Sequence, residues 1–185
     1  PHAFIVSKYD EKLFIFLDPA HMLKLIRNAW EHRSVIKNSN EEIIDWMYIK
    51  KLYELEREQG LRIGTKLTKR HINFHNEKMN VRLAAQTLSQ SVADALTYLK
   101  NTNEDFKGAG PTAEFISFIN NAFDILNSRS RFSKSPFKRA ISDDTLNDYK
   151  IYIQLFIKYV KGLKFLDGIK VVDSARKTGF VGFIL

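Results

Sequence analysis

From Ser39 to Phe165 apolar residues recur at three- and four-residue intervals, in successive stretches separated by polar or glycine-containing breaks. No other feature restricts the fold as much, because a period near 3.6 places each apolar set on one side of a helix. Ser39-Asn-Glu-Glu42 has capping-box spacing, and Ile43, Trp46, Met47, Ile49, Leu52, Tyr53 and Leu55 follow with helical period until Gly60. Lys78 to Lys100 is the longest helical candidate, with a stripe of Val81, Ala84, Ala85, Leu88, Val92 and Leu96. Pro111 to Leu126 carries Phe115, Ile119, Ala122, Phe123 and Leu126 on one face. Asp143 to Phe165 carries Tyr149, Tyr152, Ile153, Phe156, Ile157 and Val160. The body of the chain is therefore expected to be helical, with no sustained heptad and no internal repeat.

The start differs. Ala3 to Val6 and Lys12 to Leu17 are short runs rich in β-branched and aromatic residues, joined by the polar turn SKYDE, as in a hairpin or neighbouring strands. Asp18-Pro19 closes the second run, and proline suits the first helical turn because no backbone donor is needed there. Met22, Leu25, Ile26 and Ala29 then share one helical face, so a strand delivers Asp18 to the mouth of a helix. Between Ser128 and Arg139 the run SRSRFSKSPFKR contains no acid and reads as a mobile, solvated connection.

Composition narrows the function classes. The absence of cysteine removes disulfides, thiolate zinc sites and cysteine nucleophiles, and suits a reducing cytosolic or nuclear compartment. No apolar run reaches the roughly 18 to 20 residues that span a bilayer, so no membrane partner is expected. The chain starts at Pro1 and stops on the apolar run GFVGFIL, and is read as an excerpt of a longer protein. A net charge of +8 favours polyanionic partners.

Few motifs carry chemistry by themselves. Asp18 at a strand end is where α/β enzymes place metal ligands, and it equally suits the cap of the helix starting at Pro19. His21, Lys24 and Arg27 give that helix a basic flank able to meet phosphate oxygens or simply water. His71 and His75 stand at i, i+4, but no third ligand completes a set in sequence, and zinc is set aside. Neither G-x-x-x-x-G-K-[ST] nor G-x-G-x-x-G occurs, and no G-x-S-x-G is present. Asn120, Phe123 and Asp124 would project together from one helix, presenting an amide, an aromatic plate and a carboxylate. That chemistry fits guanine, whose N1–H and exocyclic amine can both donate to one carboxylate while a phenyl ring stacks on the base. The spacing fits as well a core phenylalanine beside a solvated acid.

Three ordered strings, FIFLDPAHMLKLIRNAW, KLTKRHINFHNEKMNVRLAAQTLSQSVADAL and TAEFISFINNAFDILNSR, resemble the P-element transposases and the related THAP-type transposase-derived proteins. The resemblance covers most of the chain, clearly from Phe14 to Ala140. It implies a mainly α fold: residues 1–30 as a short β-containing segment of an RNase H-like (α/β) catalytic domain, 31–170 as a helical GTP-binding insertion domain, and 171–185 as the return into the RNase H-like domain. It implies that Asp18 is one Mg²⁺-binding carboxylate of an acidic catalytic triad for DNA cleavage and strand transfer, the other acids lying outside these residues.

By the same resemblance the guanine nucleotide is held by Lys66, Val81, Ser89, Asn120, Phe123 and Asp124. Phe123 stacks on the base and Asp124 reads its edge. Asn80 stands where relatives often carry lysine, which implies one cationic contact fewer. GTP is implied as a cofactor that helps position DNA and is not hydrolysed. DNA phosphates are assigned to Lys24, Arg27, Arg129, Arg131, Lys138 and Arg139. The parent is implied to be nuclear and a homo-oligomer. The alternative is a domesticated DNA-binding or chromatin regulatory protein without transposition, and a third reading is a helical RNA- or protein-binding module with no nucleotide site.

Overall fold

The computed structural model describes residues 4–6, 12–14, 16–60, 64–128, 130–133 and 135–184. Strands β1 (Phe4–Val6) and β2 (Lys12–Phe14) pair antiparallel, Phe4 opposite Phe14, and the turn between them lies outside the described residues. Helix α1 (Pro19–Arg33) follows, capped by Asp18, and it is wrapped by the rest of the chain: Leu23, Ile26 and Trp30 are fully buried.

Residues 39–42 do not begin a helix. They form the turn between β3 (Val35–Lys37) and β4 (Ile43–Asp45), which pair antiparallel. The Asn38 carboxamide oxygen accepts from the backbone N–H groups of Asn40 and Glu42, each at 3.0 Å, and Glu41 adopts a left-handed φ of 62°. Ile44 and Trp46 are buried while Asp45 between them is not, an alternation of period two that overrides the helical reading at this point. Helix α2 (Met47–Gln59) starts afterwards and ends at Gly60, whose left-handed φ of 64° suits a residue without a β-carbon.

The expected long helix from Lys78 to Lys100 is two helices, α4 (Val81–Thr87) and α5 (Gln90–Thr102), preceded by the short α3 (Lys69–Ile72). Ser89 is the break. Its hydroxyl donates to the Gln86 carbonyl at 2.9 Å and its own carbonyl accepts from Val92 and Ala93, so it closes one helix and opens the next. The two halves have different partners, since α4 lies on α1 and α5 on α6 (Gly110–Leu126). Helix α7 (Asp143–Gly162) stops short of Phe165. Lys164–Phe165 forms β5, which pairs with β3 to give a sheet of order β4-β3-β5. The last helix, α8 (Thr178–Gly182), crosses α1 so closely that a β-carbon on Gly179 would stand 2.8 Å from the Ile26 nitrogen.

The basic connection before α7 is tied down at its end. Tyr149 on α7 presents its hydroxyl to the carbonyl oxygens of Pro136 at 2.8 Å and Arg139 at 2.7 Å, and Ser130 bridges to Arg139.

The core centres on indoles. Trp30 meets Trp46 edge-on at 4.9 Å and Phe115 at 5.0 Å, and Trp46 meets Phe74 at 6.0 Å. Trp30 thereby joins α1, the junction between β4 and α2, and α6. Trp30→Ala is expected to lower unfolding free energy by about 3–5 kcal/mol, the usual range for deleting a buried aromatic, as measured by urea denaturation. A loss below about 1 kcal/mol would mean that Trp30 is not the hub of this core.

Candidate nucleotide site

One face of α4 and one face of α6 make the walls of a cleft of ≈ 260 Å³. Helix α4 and the start of α5 contribute Arg82, Ala85, Gln86, Ser89 and Ser91, and α6 contributes Asn120, Phe123 and Asp124. Lys66 and Lys138 complete the lining. Of the residues assigned to the nucleotide from sequence, Lys66, Ser89, Asn120, Phe123 and Asp124 therefore come together. Val81, the first residue of α4, does not line the cleft.

Each side chain is placed by a local cause. Thr65 and Leu67 are buried on either side of exposed Lys66, and the Thr65 hydroxyl donates to the Glu56 carboxylate at 2.6 Å, so the anchored neighbours turn Lys66 outward. Phe123 is half-buried, resting on the core while lining the cleft. Asp124 is only 6% exposed. Its Oδ2 accepts from Asn120 Nδ2 at 3.2 Å and pairs with Lys138 Nζ at 3.5 Å. Burial pushes the Asp124 carboxyl above its ordinary value, while Lys138 and Asn120 pull against that rise.

A nearly buried acid can therefore meet a ligand edge, beside a ring, with Lys66, Arg82 and Lys138 supplying positive charge to the same space. Such a donor set fits a guanine nucleotide: the acid for N1–H and N2–H, the ring for stacking and the cations for phosphates. An adjoining open hollow of ≈ 440 Å³ shares Asp124 and Lys138 and extends the room available. A larger cleft, ≈ 590 Å³ beside α5, α6 and the β3–β4 turn, is a poorer phosphate site. It carries the carboxylates of Glu42 and Glu114 beside Lys100, and burial together with Glu42 raises the Glu114 carboxyl.

Arg82 and Gln86 were not singled out in the sequence, although a signal was present. Positions 82, 85 and 86 share one helical face with Ser89. Lys138 was assigned to DNA, but its ammonium turns to Asp124.

Two residues assigned to DNA on a basic flank are not on a solvated face. Lys24 is 8% exposed and Arg27 is fully buried, the latter because the segment carrying Phe74 and Lys78 folds back over it. The Arg27 guanidinium lies 3.9 Å above the Phe74 ring, donates to the Lys78 carbonyl at 2.7 Å and bonds Asn28, while its Nη1 has no hydrogen-bond partner among the described residues. Burial lowers its pKa to about 10, which leaves it a cation at neutral pH. Arg131 and Arg139 are exposed, and Arg129 lies outside the described residues.

Asp18 is exposed and caps α1, its Oδ1 accepting from Ala20 N at 3.0 Å and its Oδ2 from His21 N at 3.2 Å. Among the described residues no group of three or more His, Asp or Glu side chains could hold a metal ion. Asp18 can serve a metal only alongside acids from elsewhere. Among the described residues no helix is long and apolar enough to cross a membrane.

The family described as a TNP-like, GTP-binding insertion domain matches residues 20–140, a span that holds every residue lining the cleft and leaves Asp18 outside. The human DNA transposase THAP9 is 32% identical over 181 residues, covering 97% of this chain and 20% of that protein. The Drosophila melanogaster transposable element P transposase is 28% identical over 182 residues, covering 94% of this chain and 24% of that protein. The chain thus spans about a fifth to a quarter of the length of these relatives. A solved structure, the Drosophila P element transposase strand transfer complex, shares the fold with a TM-score of 0.72 at 24% identity, over 98% of this chain and 42% of that one.

Proposed function

The chain belongs to the TNP-like GTP-binding insertion domain family, and from that premise we propose that it holds a guanine nucleotide between α4 and α6, as part of a P-element-like DNA transposase. The observation that carries this reading is the meeting of Phe123, Asp124, Lys66 and Arg82 in one cleft. The Phe123 ring lies against the base and the Asp124 carboxylate accepts from N1–H and N2–H. Lys66, Arg82 and Lys138 neutralise the phosphates, and Ser89 and Asn120 supply polar contacts at the cleft wall. Val81 supports the position of α4 rather than touching the nucleotide.

Nucleotide binding also acts on the basic strip. Lys138 is paired with Asp124, so a base that takes the carboxylate frees the ammonium for a phosphate. The strip with Arg131 and Arg139 is joined to Lys138 through the short turn at Pro136–Lys138. The nucleotide thereby sets the position of a DNA-contacting surface and is not consumed. In the longer, nuclear and oligomeric protein, Asp18 is one Mg²⁺ ligand, and the metal supplies charge neutralisation at the transferring phosphate. Packing of α8 against α1 supports assigning both ends of the chain to one RNase H-like body around the helical insertion.

Calorimetry of the 185-residue chain with GTP and with ATP tests the site. Hydrogen bonds to a charged acceptor are worth about 1.5–3 kcal/mol each, so GTP is expected to bind at least ~10-fold more tightly. Equal affinity for the two nucleotides would refute guanine recognition.

A further inference from the structure

Gln86 lines the cleft on the α4 wall, opposite the acid on α6, and its amide orientation is fixed by chemistry behind it. The chain of reasoning starts at Thr68. Its backbone N–H points at His71 Nδ1 at 3.0 Å, and its hydroxyl stands at the same distance from that atom. A backbone N–H can only donate, so Nδ1 carries a lone pair and no proton. Burial pushes the His71 pKa down and keeps the ring neutral, which leaves the single ring proton on Nε2. That nitrogen lies 3.0 Å from Gln86 Oε1 and donates to it. Tautomer and amide orientation are therefore determined together by a donor whose role admits no alternative. The Gln86 amide nitrogen is left with two protons and no hydrogen bond among the described residues.

We propose that Gln86 is a specificity-determining residue that donates from its amide nitrogen to the O6 and N7 edge of guanine, with His71 as the positioning residue that holds the amide in that sense. This inference rests on the guanine reading of the cleft. It adds a second reader on the opposite wall. Asp124 accepts from N1–H and N2–H, and Gln86 donates to the adjoining acceptors. N7 is an acceptor in both purines, so the discrimination lies at position 6 and at N1, where the adenine 6-amino group faces the Gln86 amine and its bare N1 faces the carboxylate. Discrimination from the two walls is then larger than either gives alone.

Calorimetry of the same chain with Gln86→Leu and Gln86→Glu tests it. Gln86→Leu is expected to weaken GTP about 10-fold, the equivalent of one hydrogen bond of about 1.4 kcal/mol, with no loss for ATP, whose 6-amino group no longer faces a donor. Gln86→Glu keeps an acceptor for His71 Nε2–H and so preserves the fold, as a thermal melt checks. It sets a carboxylate against O6, so GTP weakens more than in the leucine variant and the GTP-to-ATP ratio collapses. A 6-thioguanosine triphosphate probe, which keeps N1–H and N2–H but has a poorer acceptor at position 6, is expected to bind wild type more weakly than GTP and Gln86→Leu equally. Unchanged GTP affinity and ratio in both variants, with guanine preference intact in wild type, would overturn the role of Gln86 and leave the site standing. A wild-type chain that fails to prefer GTP over ATP would overturn both.

Discussion

Asp124→Asn should remove most of the preference for GTP over ATP while leaving the protein folded. Asparagine has the size of aspartate but turns one oxygen into an NH₂ group, which opposes the N1–H and N2–H donors that the carboxylate would accept. Two charge-assisted hydrogen bonds are lost and a donor–donor contact replaces one of them, so GTP affinity should fall by about 100-fold or more, from about 1.5–3 kcal/mol per bond. ATP binding should not follow it. The fold tolerates the change because Asp124 is 6% exposed and its charge is disfavoured by burial, so a neutral amide relieves a cost. Calorimetry with both nucleotides decides the matter: a variant that keeps the full wild-type preference for GTP would remove Asp124 from recognition.

The same residue sets a pH dependence whose sign follows from its ionisation. Only the carboxylate accepts both guanine donors, so binding is complete above the Asp124 pKa and is lost as pH falls through it. Burial raises that pKa, and the loss should begin at a higher pH than for an ordinary aspartate. Lys138 lowers it from 3.5 Å away, so Lys138→Ala should move the acid limb of the binding curve upward. Asp124→Asn should have no such limb.

Asp18→Asn in the full-length protein should abolish Mg²⁺-dependent DNA cleavage with GTP binding unchanged. Asparagine is the informative replacement because Asp18 does two jobs in the proposed reading. As the cap of α1 it accepts from Ala20 N and His21 N, and Asn caps helices about as well as Asp. Alanine would remove the cap as well, at a cost of about 1 kcal/mol, and would confuse a loss of chemistry with a loosened helix. The asparagine variant keeps the helix start and loses the negative charge that holds a metal ion. Persistent cleavage by that variant, measured on a DNA substrate with Mg²⁺, would leave Asp18 as a cap and nothing more.

Much of the helical body was legible because burial of one face leaves a 3.6-residue signature that needs no knowledge of the partner. The span of α6 and the start of α7 were read that way, and the start of α1 from the fit of Pro19 to a first helical turn. Periodicity failed where two periods coincide or where the partner changes. Ile43 to Trp46 satisfies helix and strand spacing alike, and the choice fell to β3, whose pairing depends on Ile36 meeting Ile44. The stripe from Val81 to Leu96 is continuous in sequence, yet its first half packs on α1 and its second on α6, and the chain bends at Ser89 to reach both.

The cleft divides in the same way. Asn120, Phe123 and Asp124 could be nominated from their spacing and from the chemistry of guanine, because all stand on one helix. Nothing local could say that Lys66 and Gln86 would face them, or that Lys138 would pair with the acid. Nor could it show that Arg27 would lie under Phe74 with its charge buried.

The sequence by itself determined the helical class, the Asp18–Pro19 helix start and the α6 triplet, since each depends on neighbours within a few turns of one another. Tertiary structure alone decided which cations are solvated, where the strands pair and which walls enclose the cleft. Those outcomes depend on contacts between residues far apart in the chain, which arise only when the whole apolar surface is buried at once.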